Sequence, residues 1–392
     1  MILAWILGSL SCAVWLTLLT ARGGFWRITT DRDLPPGPAP AAWPAVTAVV
    51  PARDEAVAIG ACIRSLVTQD YPGPFRVVLV DDHSSDGTAN LARTAAAESR
   101  HAERLEVVGG RALPAGWTGK LWAVAQGIDR AADAAPDAAP DGAPPRYLWL
   151  SDADIEHPRD GLRRLVARAE AGGLDLVSLM VRLRCKSLAE RALVPAFVFF
   201  FRMLYPFAWI NDPAAGTAGA AGGCMLVRRE ALAAIGGFGA IRGALIDDCT
   251  LGAALKSGGP IRLDLADDTR SLRDYDGFGE IWRMIARSAY TQLDHSPLLL
   301  ALCGLGMIVT YLVPPALALS GLPGWAPLAG AAAWAAMALA YWPTLHYYRL
   351  SPLWAPLLPL IALFYLGATL DSARRHWLGR GGEWKGRAQA AR

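Results

Sequence analysis

The chain has 392 residues, room for one large domain with membrane segments or for two ordinary domains. It is 53% hydrophobic with a mean hydropathy of +0.27, too apolar for an ordinary soluble protein, and the excess is concentrated at the two ends. A formal net charge of +3, with no basic stripe interleaved with aromatics, argues against a nucleic-acid binder. Six scattered cysteines without a CxxC pair argue against a disulfide framework or a zinc site, and fit a reducing compartment.

Residues 1–21 are apolar apart from small residues, and Arg22 and Arg27 come next. The segment lacks a positive start and a clear cleavage site, so it is expected to be an uncleaved anchor. Basic residues on its C-terminal side favour a cytosolic location for the central domain. Residues 22–45 read as a linker, stiffened by the prolines of 34–40.

From 46 to 277, apolar strand-like runs alternate with helical patterns, which predicts an α/β domain with a mostly parallel sheet. The runs 46–51, 76–80 and 147–151 read as buried strands, and each ends on acids: Asp54-Glu55, Asp81-Asp82 and Asp152/Asp154. Acid pairs at successive strand ends line one edge of a parallel sheet, where α/β folds hold ligands. The natural counter-charge is a divalent metal carrying a nucleotide diphosphate.

Each acid site also has a plainer reading. Asp54-Glu55, after Pro51 and Arg53, is expected to open a helix, where acids suit the dipole in any case. Asp81-Asp82 precedes a Ser/Asp helix-start signal; one acid can accept from a base N–H or a ribose hydroxyl, while His83 reads as a loop residue. Lys120, after Gly116-Trp-Thr-Gly, opens a helix and can neutralise phosphate, although a lone lysine there is usually solvated. Asp152 and Asp154, two residues apart, suit Mg2+ or Mn2+ shared with phosphates. Asp247-Asp248 opens a helix over 248–255, either as a cap or with Asp248 as general base. The Ala/Pro/Asp repetition of 133–145 reads as a surface insertion without chemistry.

Residues 193–210, rich in phenylalanine beside prolines, suit an interfacial segment. Over 278–297, Phe278, Ile281, Trp282, Ile285, Ala289 and Leu293 recur at helical spacing, with Arg283 and Arg287 opposite. That pattern predicts an amphipathic helix in the headgroup plane. Membrane segments come next over 298–372, with candidate spans at 298–319, 326–345 and 353–370, and then a basic tail, 373–392. Three crossings would put that tail outside, against its charge. The last segment, with Pro352, Pro356 and Pro359, is therefore expected to be re-entrant or interfacial. A transporter is disfavoured, since the spans hold no acid before Asp371.

In this order, Val50-Pro51 with Asp54-Glu55, Asp81-Asp82, Lys120, Asp152-Ala-Asp154, the glycine-rich 222–229 and Asp247-Asp248 resemble the family 2 glycosyltransferases. The resemblance covers 46–293 and implies a nucleotide-diphospho-sugar transferase (GT-A-like) domain, with an N-terminal anchor helix and C-terminal membrane helices. It implies that Pro51, Arg53, Asp54, Glu55, Asp81, Asp82, Lys120, Asp152 and Arg287 bind the nucleotide-sugar, a UDP-sugar being favoured. Asp152 and Asp154 would hold Mg2+ or Mn2+, with Asp248 as base beside Asp247. The terminal layout resembles more narrowly the hopene-associated glycosyltransferases, which implies an inverting, non-processive transfer to a hopanoid hydroxyl on the cytosolic face of a bacterial inner membrane. Processive relatives carry QxxRW, whereas this chain reads Met284-Ile-Ala-Arg-Ser288 and keeps only the arginine, Arg287. The alternatives are transfer to polyprenyl phosphate, which needs no base, and a non-catalytic nucleotide-sugar-binding partner.

Overall fold

The computed structural model describes residues 1–132, 144–379, 383–384 and 387–388. The 133–143 part of the predicted insertion, and Arg380, Lys385 and Arg392 of the predicted tail, lie outside the described residues. The chain divides into two compact units.

The first unit comprises Thr29–Arg184, Trp209–Arg273 and Glu383–Arg392. Its sheet contains β1 (Val46–Ala52), β2 (Phe75–Asp81), β3 (Leu105–Gly109), β4 (Tyr147–Ser151), β5 (Ile155–Glu156), β6 (Leu176–Arg182), β7 (Cys224–Arg228) and β8 (Ile261–Ser271). The spatial order is β3-β2-β1-β4-β7-β6-β8-β5. β7 and β5 run against the other six strands, so the sheet is mixed but mostly parallel. Every residue of β1 is buried, as an unbroken apolar run requires when both faces are covered. Ala48 and Val50 pack with Ile59, Ile63 and Leu66 of the Ile59–Val67 helix. On the other face the Gly119–Ala132 helix comes so close that a Cβ on Gly127 would lie 2.4 Å from Val49 Cγ1. Glycine at 127 thus brings the helix carrying Lys120 down onto the strands that carry the acids.

Part of the predicted linker is stapled to this sheet. Thr30 bridges to Leu265 in β8, and the Asp31 N–H donates to the Leu265 carbonyl at 2.8 Å. Buried Asp31 pairs with Arg164 at 2.6 Å, while Arg32 forks onto Asp160 at 2.8 Å and also pairs with Asp268. Five charged residues within a few ångströms of one another outweigh the proline content of the neighbouring 34–40 stretch.

The second unit comprises Met1–Ile28, Cys185–Ala208 and Asp274–Gly382. Four of its helices are long and apolar enough to cross a membrane: Ile2–Ala21, Pro297–Ala318, Ala326–Tyr347 and Pro352–Trp377. Leu298, Leu302 and Leu328 are among the many large apolar residues they expose, which fits membrane association. Polar side chains face inward. A π-helical turn at Ile308–Leu312 leaves carbonyls without their usual donors, and Ser11 Oγ and Trp15 Nε1 donate to Val309 and Thr310 at 2.8 and 2.9 Å.

Three expectations for this unit change. Residues 193–210 do not form an open interfacial strip. A capping box of Ser187 and Glu190 starts a helix at Leu188–Leu204 whose Leu193, Pro195, Phe199 and Arg202 are buried. Phe199 packs against Phe25 and Tyr341, so the aromatics serve helix packing, and Cys185–Ala208 belongs with the helices rather than with the 46–277 domain. The amphipathic helix is real but shorter, Phe278–Ser288. The backbone then turns through Asp294 and His295, both at positive φ (49° and 53°), before Ser296 caps the next helix. Finally, Pro352, Pro356 and Pro359 do not interrupt a span: they form a 3-10 turn, Pro352–Leu357, and the start of the helix Leu358–Trp377.

Candidate active site

The site grows from the ends of β1, β4 and β7 and the starts of two helices. Lys120, second residue of the Gly119–Ala132 helix, projects between two acids, 2.9 Å from Asp152 Oδ1 and 3.3 Å from Asp247 Oδ2. Asp152 follows β4, and Asp247 opens the Asp247–Lys256 helix. Asp248, next along, accepts from the Gly222 N–H at 2.9 Å and from the Cys249 N–H at 2.7 Å. Lys120, Asp152 and Asp247, from three separate parts of the sequence, thus line one small cavity, and Asp248 adjoins it through Gly222. Pro51, Ser151 and Gly222 share its lining, with Val124, Leu150, Met225 and Phe238 as apolar wall.

The electrostatics follow from that packing. Burial works against the Lys120 charge, but Asp152, Asp247 and Asp248 outweigh it and hold the ammonium well above its ordinary range. Burial, and after it repulsion from Asp247, raises the Asp248 carboxyl to about 6, against the pull of Lys120 and the two N–H donors. Asp154 rises in the same direction, through burial first and then the charges of Asp152 and Glu55. Among the described residues, no three His, Cys, Asp or Glu side chains gather closely enough to hold a metal unaided. The donor chemistry nonetheless suits a hard cation: Asp152 and Asp154 are two oxygen-donor carboxylates close enough to repel one another.

The Asp54 and Asp81-Asp82 sites form a different constellation. Asp54 sits at φ 50° and its carboxylate accepts from the Ser85 N–H at 2.8 Å, while its own N–H donates to Ser84 Oγ at 3.0 Å. The Glu55 N–H donates to Thr88 Oγ1, and the Ala56 N–H to Asp86 Oδ2. These bonds tie the β1 loop to the β2 loop and delay the helix to Ile59, beyond the predicted start at Asp54-Glu55. Asp82 is 1% exposed, beside Arg53 at 3.8 Å and His83 at 3.3 Å, and Arg53 also donates to the Asp82 carbonyl at 2.6 Å. Asp81 Oδ1 accepts from the Ser84 N–H at 3.1 Å. Arg287 lies in the helical unit, on the exposed side of its amphipathic helix.

Two contributors escape sequence inspection. The Gly222 N–H carries no side-chain signal. His157, 5% exposed, sits 2.8 Å from Ser151 Oγ below the Asp152 turn, and burial lowers its pKa to about 3, so it is a neutral support. Nothing in Glu156-His157-Pro158 marks it out.

The family model for glycosyl transferase family 2 matches residues 47–236, which include β1, the Asp81-Asp82 loop, Lys120 and the Asp152 turn. The chain carries a family 2 glycosyltransferase domain and is an enzyme of that type. A mannosyltransferase from Pyrobaculum calidifontis, solved with GDP-Man and Mn2+, aligns over 95% of this chain and 99% of its own, with 20% identity and a TM-score of 0.53. This likeness supports the GT-A-like fold. The glucosyl-3-phosphoglycerate synthase of Mycobacterium tuberculosis aligns over 64% of this chain and 79% of its own, at 17% identity and a TM-score of 0.39. The mannosyl-3-phosphoglycerate synthase of Rubrobacter xylanophilus aligns over 68% and 80%, at 16% identity and a TM-score of 0.40. A search of curated proteins finds no match.

Proposed function

We propose that this glycosyltransferase is an inverting, non-processive enzyme that moves one sugar from a nucleotide-diphospho-sugar, favoured as a UDP-sugar, to a lipid hydroxyl. The favoured acceptor is a hopanoid at the cytosolic face of a bacterial inner membrane, with the chain anchored through several spans. The observation that carries the reading is the juxtaposition of Lys120, Asp152 and Asp247 with a raised Asp248 held by the Gly222 N–H.

Asp248 takes the proton from the acceptor hydroxyl. The freed oxygen bonds to the anomeric carbon on the face opposite the diphosphate, whose bond to that carbon breaks. Lys120 opposes the negative charge that builds on the departing group, and Asp247 holds Lys120 in place. Among the described residues lining this cavity, one ammonium, Lys120, faces two carboxylates, Asp152 and Asp247, with Asp248 next to them, so a diphosphate would meet net repulsion. Asp152 and Asp154 are the residues that would hold a divalent cation, which supplies electrophilic charge to the phosphates. The Pyrobaculum mannosyltransferase, solved with GDP-Man and Mn2+, supports this pairing of donor class and metal. The Arg53–Glu55 and Asp81–Asp82 loops are assigned to the nucleotide, and Arg287 to the diphosphate.

The test is lipid mass spectrometry of host cells carrying the intact chain or Asp248→Asn. The expected result is loss of one glycosylated hopanoid with accumulation of its aglycone. Unchanged hopanoids with loss of a polyprenyl-linked sugar would overturn the acceptor, and unchanged lipids throughout would overturn the base.

A further inference from the structure

Lys256 closes the helix that Asp247 opens, and its ammonium is surrounded by backbone. The carbonyls of Trp209, Ile210, Asp212 and Thr217 lie 2.9, 2.9, 3.0 and 2.7 Å from its Nζ. An ammonium has three N–H bonds, so four carbonyls at these distances more than saturate it. The segment they belong to, 209–222, has no helix or strand after Ile210 and leads directly to the Gly222 N–H that Asp248 accepts.

The same helix grips this segment at three levels. Asp248 binds Gly222, Gly252 lies so close to Gly219 that a Cβ there would be 2.8 Å from the Gly219 carbonyl carbon, and Lys256 gathers the four carbonyls. Positions 248, 252 and 256 are spaced by four and fall on one face of the helix. A splint of this kind fixes a glycine- and alanine-rich stretch that has little side-chain packing of its own, and such precision is what a catalytic group needs from its supports.

We propose that Lys256 is a positioning residue for transfer: by caging the 209–217 carbonyls it holds the Gly222 N–H against the Asp248 carboxylate. The proposal rests on Asp248 as the base. Lys256 sits at the far end of its helix from Asp247 and directs its ammonium to backbone rather than to the cavity, so it acts on turnover rather than on donor binding.

The experiment uses the full chain in detergent micelles with radiolabelled UDP-glucose and a hopanoid alcohol. For Lys256→Ala, kcat is expected to fall on the order of 10–100-fold, as small displacements of catalytic groups do, while KM for UDP-glucose stays within about twofold. Propylammonium, small enough to replace the missing group among the carbonyls, is expected to restore much of kcat in Lys256→Ala and none in Asp248→Asn. Lys256→Arg should lie between Lys256→Ala and the parent. Parental kcat in Lys256→Ala, a loss confined to KM, or a loss that propylammonium leaves untouched would each overturn the proposal. If Lys256→Ala does not fold, Lys256→Arg decides: lower kcat with parental KM supports it, and parental kcat overturns it. Near-normal transfer by Asp248→Asn would instead remove the base assignment and, with it, the target of Lys256.

Discussion

Two clusters of aspartates occupy neighbouring strand ends of one sheet, and they are held in opposite ways. In the Asp54–Asp86 loops, backbone N–H and hydroxyl donors meet the carboxylates of Asp54, Asp81 and Asp86. Burial opposes the Asp86 charge, but hydrogen bonds from Thr88 and Ala56 prevail and keep its carboxyl below the ordinary value. Around Lys120 the acids meet one ammonium and one another, and burial raises Asp248 and Asp154. Acids satisfied by donors fix loops; acids crowded in a cavity store the capacity to take a proton or a cation. Identical residue types therefore differ in protonation behaviour according to what faces them.

That contrast can be broken experimentally. The largest effect is expected for Asp248→Asn, with kcat lower by on the order of 10²–10⁴ and donor affinity unchanged by titration with UDP, since the proposed general base is removed without changing the side chain's size. Lys120→Met comes second, with a loss on the order of 10²–10³ in kcat because the leaving diphosphate loses its countercharge. Removing Lys120 also removes a pull that lowers the Asp248 pKa, so the acid limb of the rate profile should move to higher pH. A base at Asp248, whose pKa is raised to about 6, works only when ionised; kcat should thus be full well above pH 6 and fall as pH drops through that value. A limb near pH 4 would mean that another group is the base. The smallest effect is expected for Asp54→Ala, which releases Ser85: about 1 kcal/mol of stability by thermal unfolding, with a modest rise in donor KM. A collapse of kcat in that variant would erase the distinction between the clusters.

The sheet was legible because β1, β2 and β4 are short, mostly apolar runs followed by acids, a local pattern. The convergence of Lys120 with Asp152 and Asp247 was legible only as an ordered set of motifs, since Lys120 and Asp247 are separated by more than a hundred positions. The helix start after Asp54 was misplaced because bonds to Ser84, Ser85 and Thr88, about thirty residues on, override the local signal. Residues 193–210 misled for a different reason: composition shows that aromatics will be buried but not in what. The grip of Lys256 was invisible, because its partners are carbonyls, which every residue possesses.

The staple at Thr30–Asp33 bears on how the sheet-containing unit of this enzyme could be isolated. A fragment cut at Val46, where the first strand begins, would discard Asp31 and leave Arg164 and Arg168 on the sheet without their partner from that segment. Removing one member of a buried ion pair typically costs about 3–5 kcal/mol. A fragment that begins at Thr29 keeps Asp31, Arg32 and the bridge to β8, and discards only Met1–Ile28 at its N-terminal end.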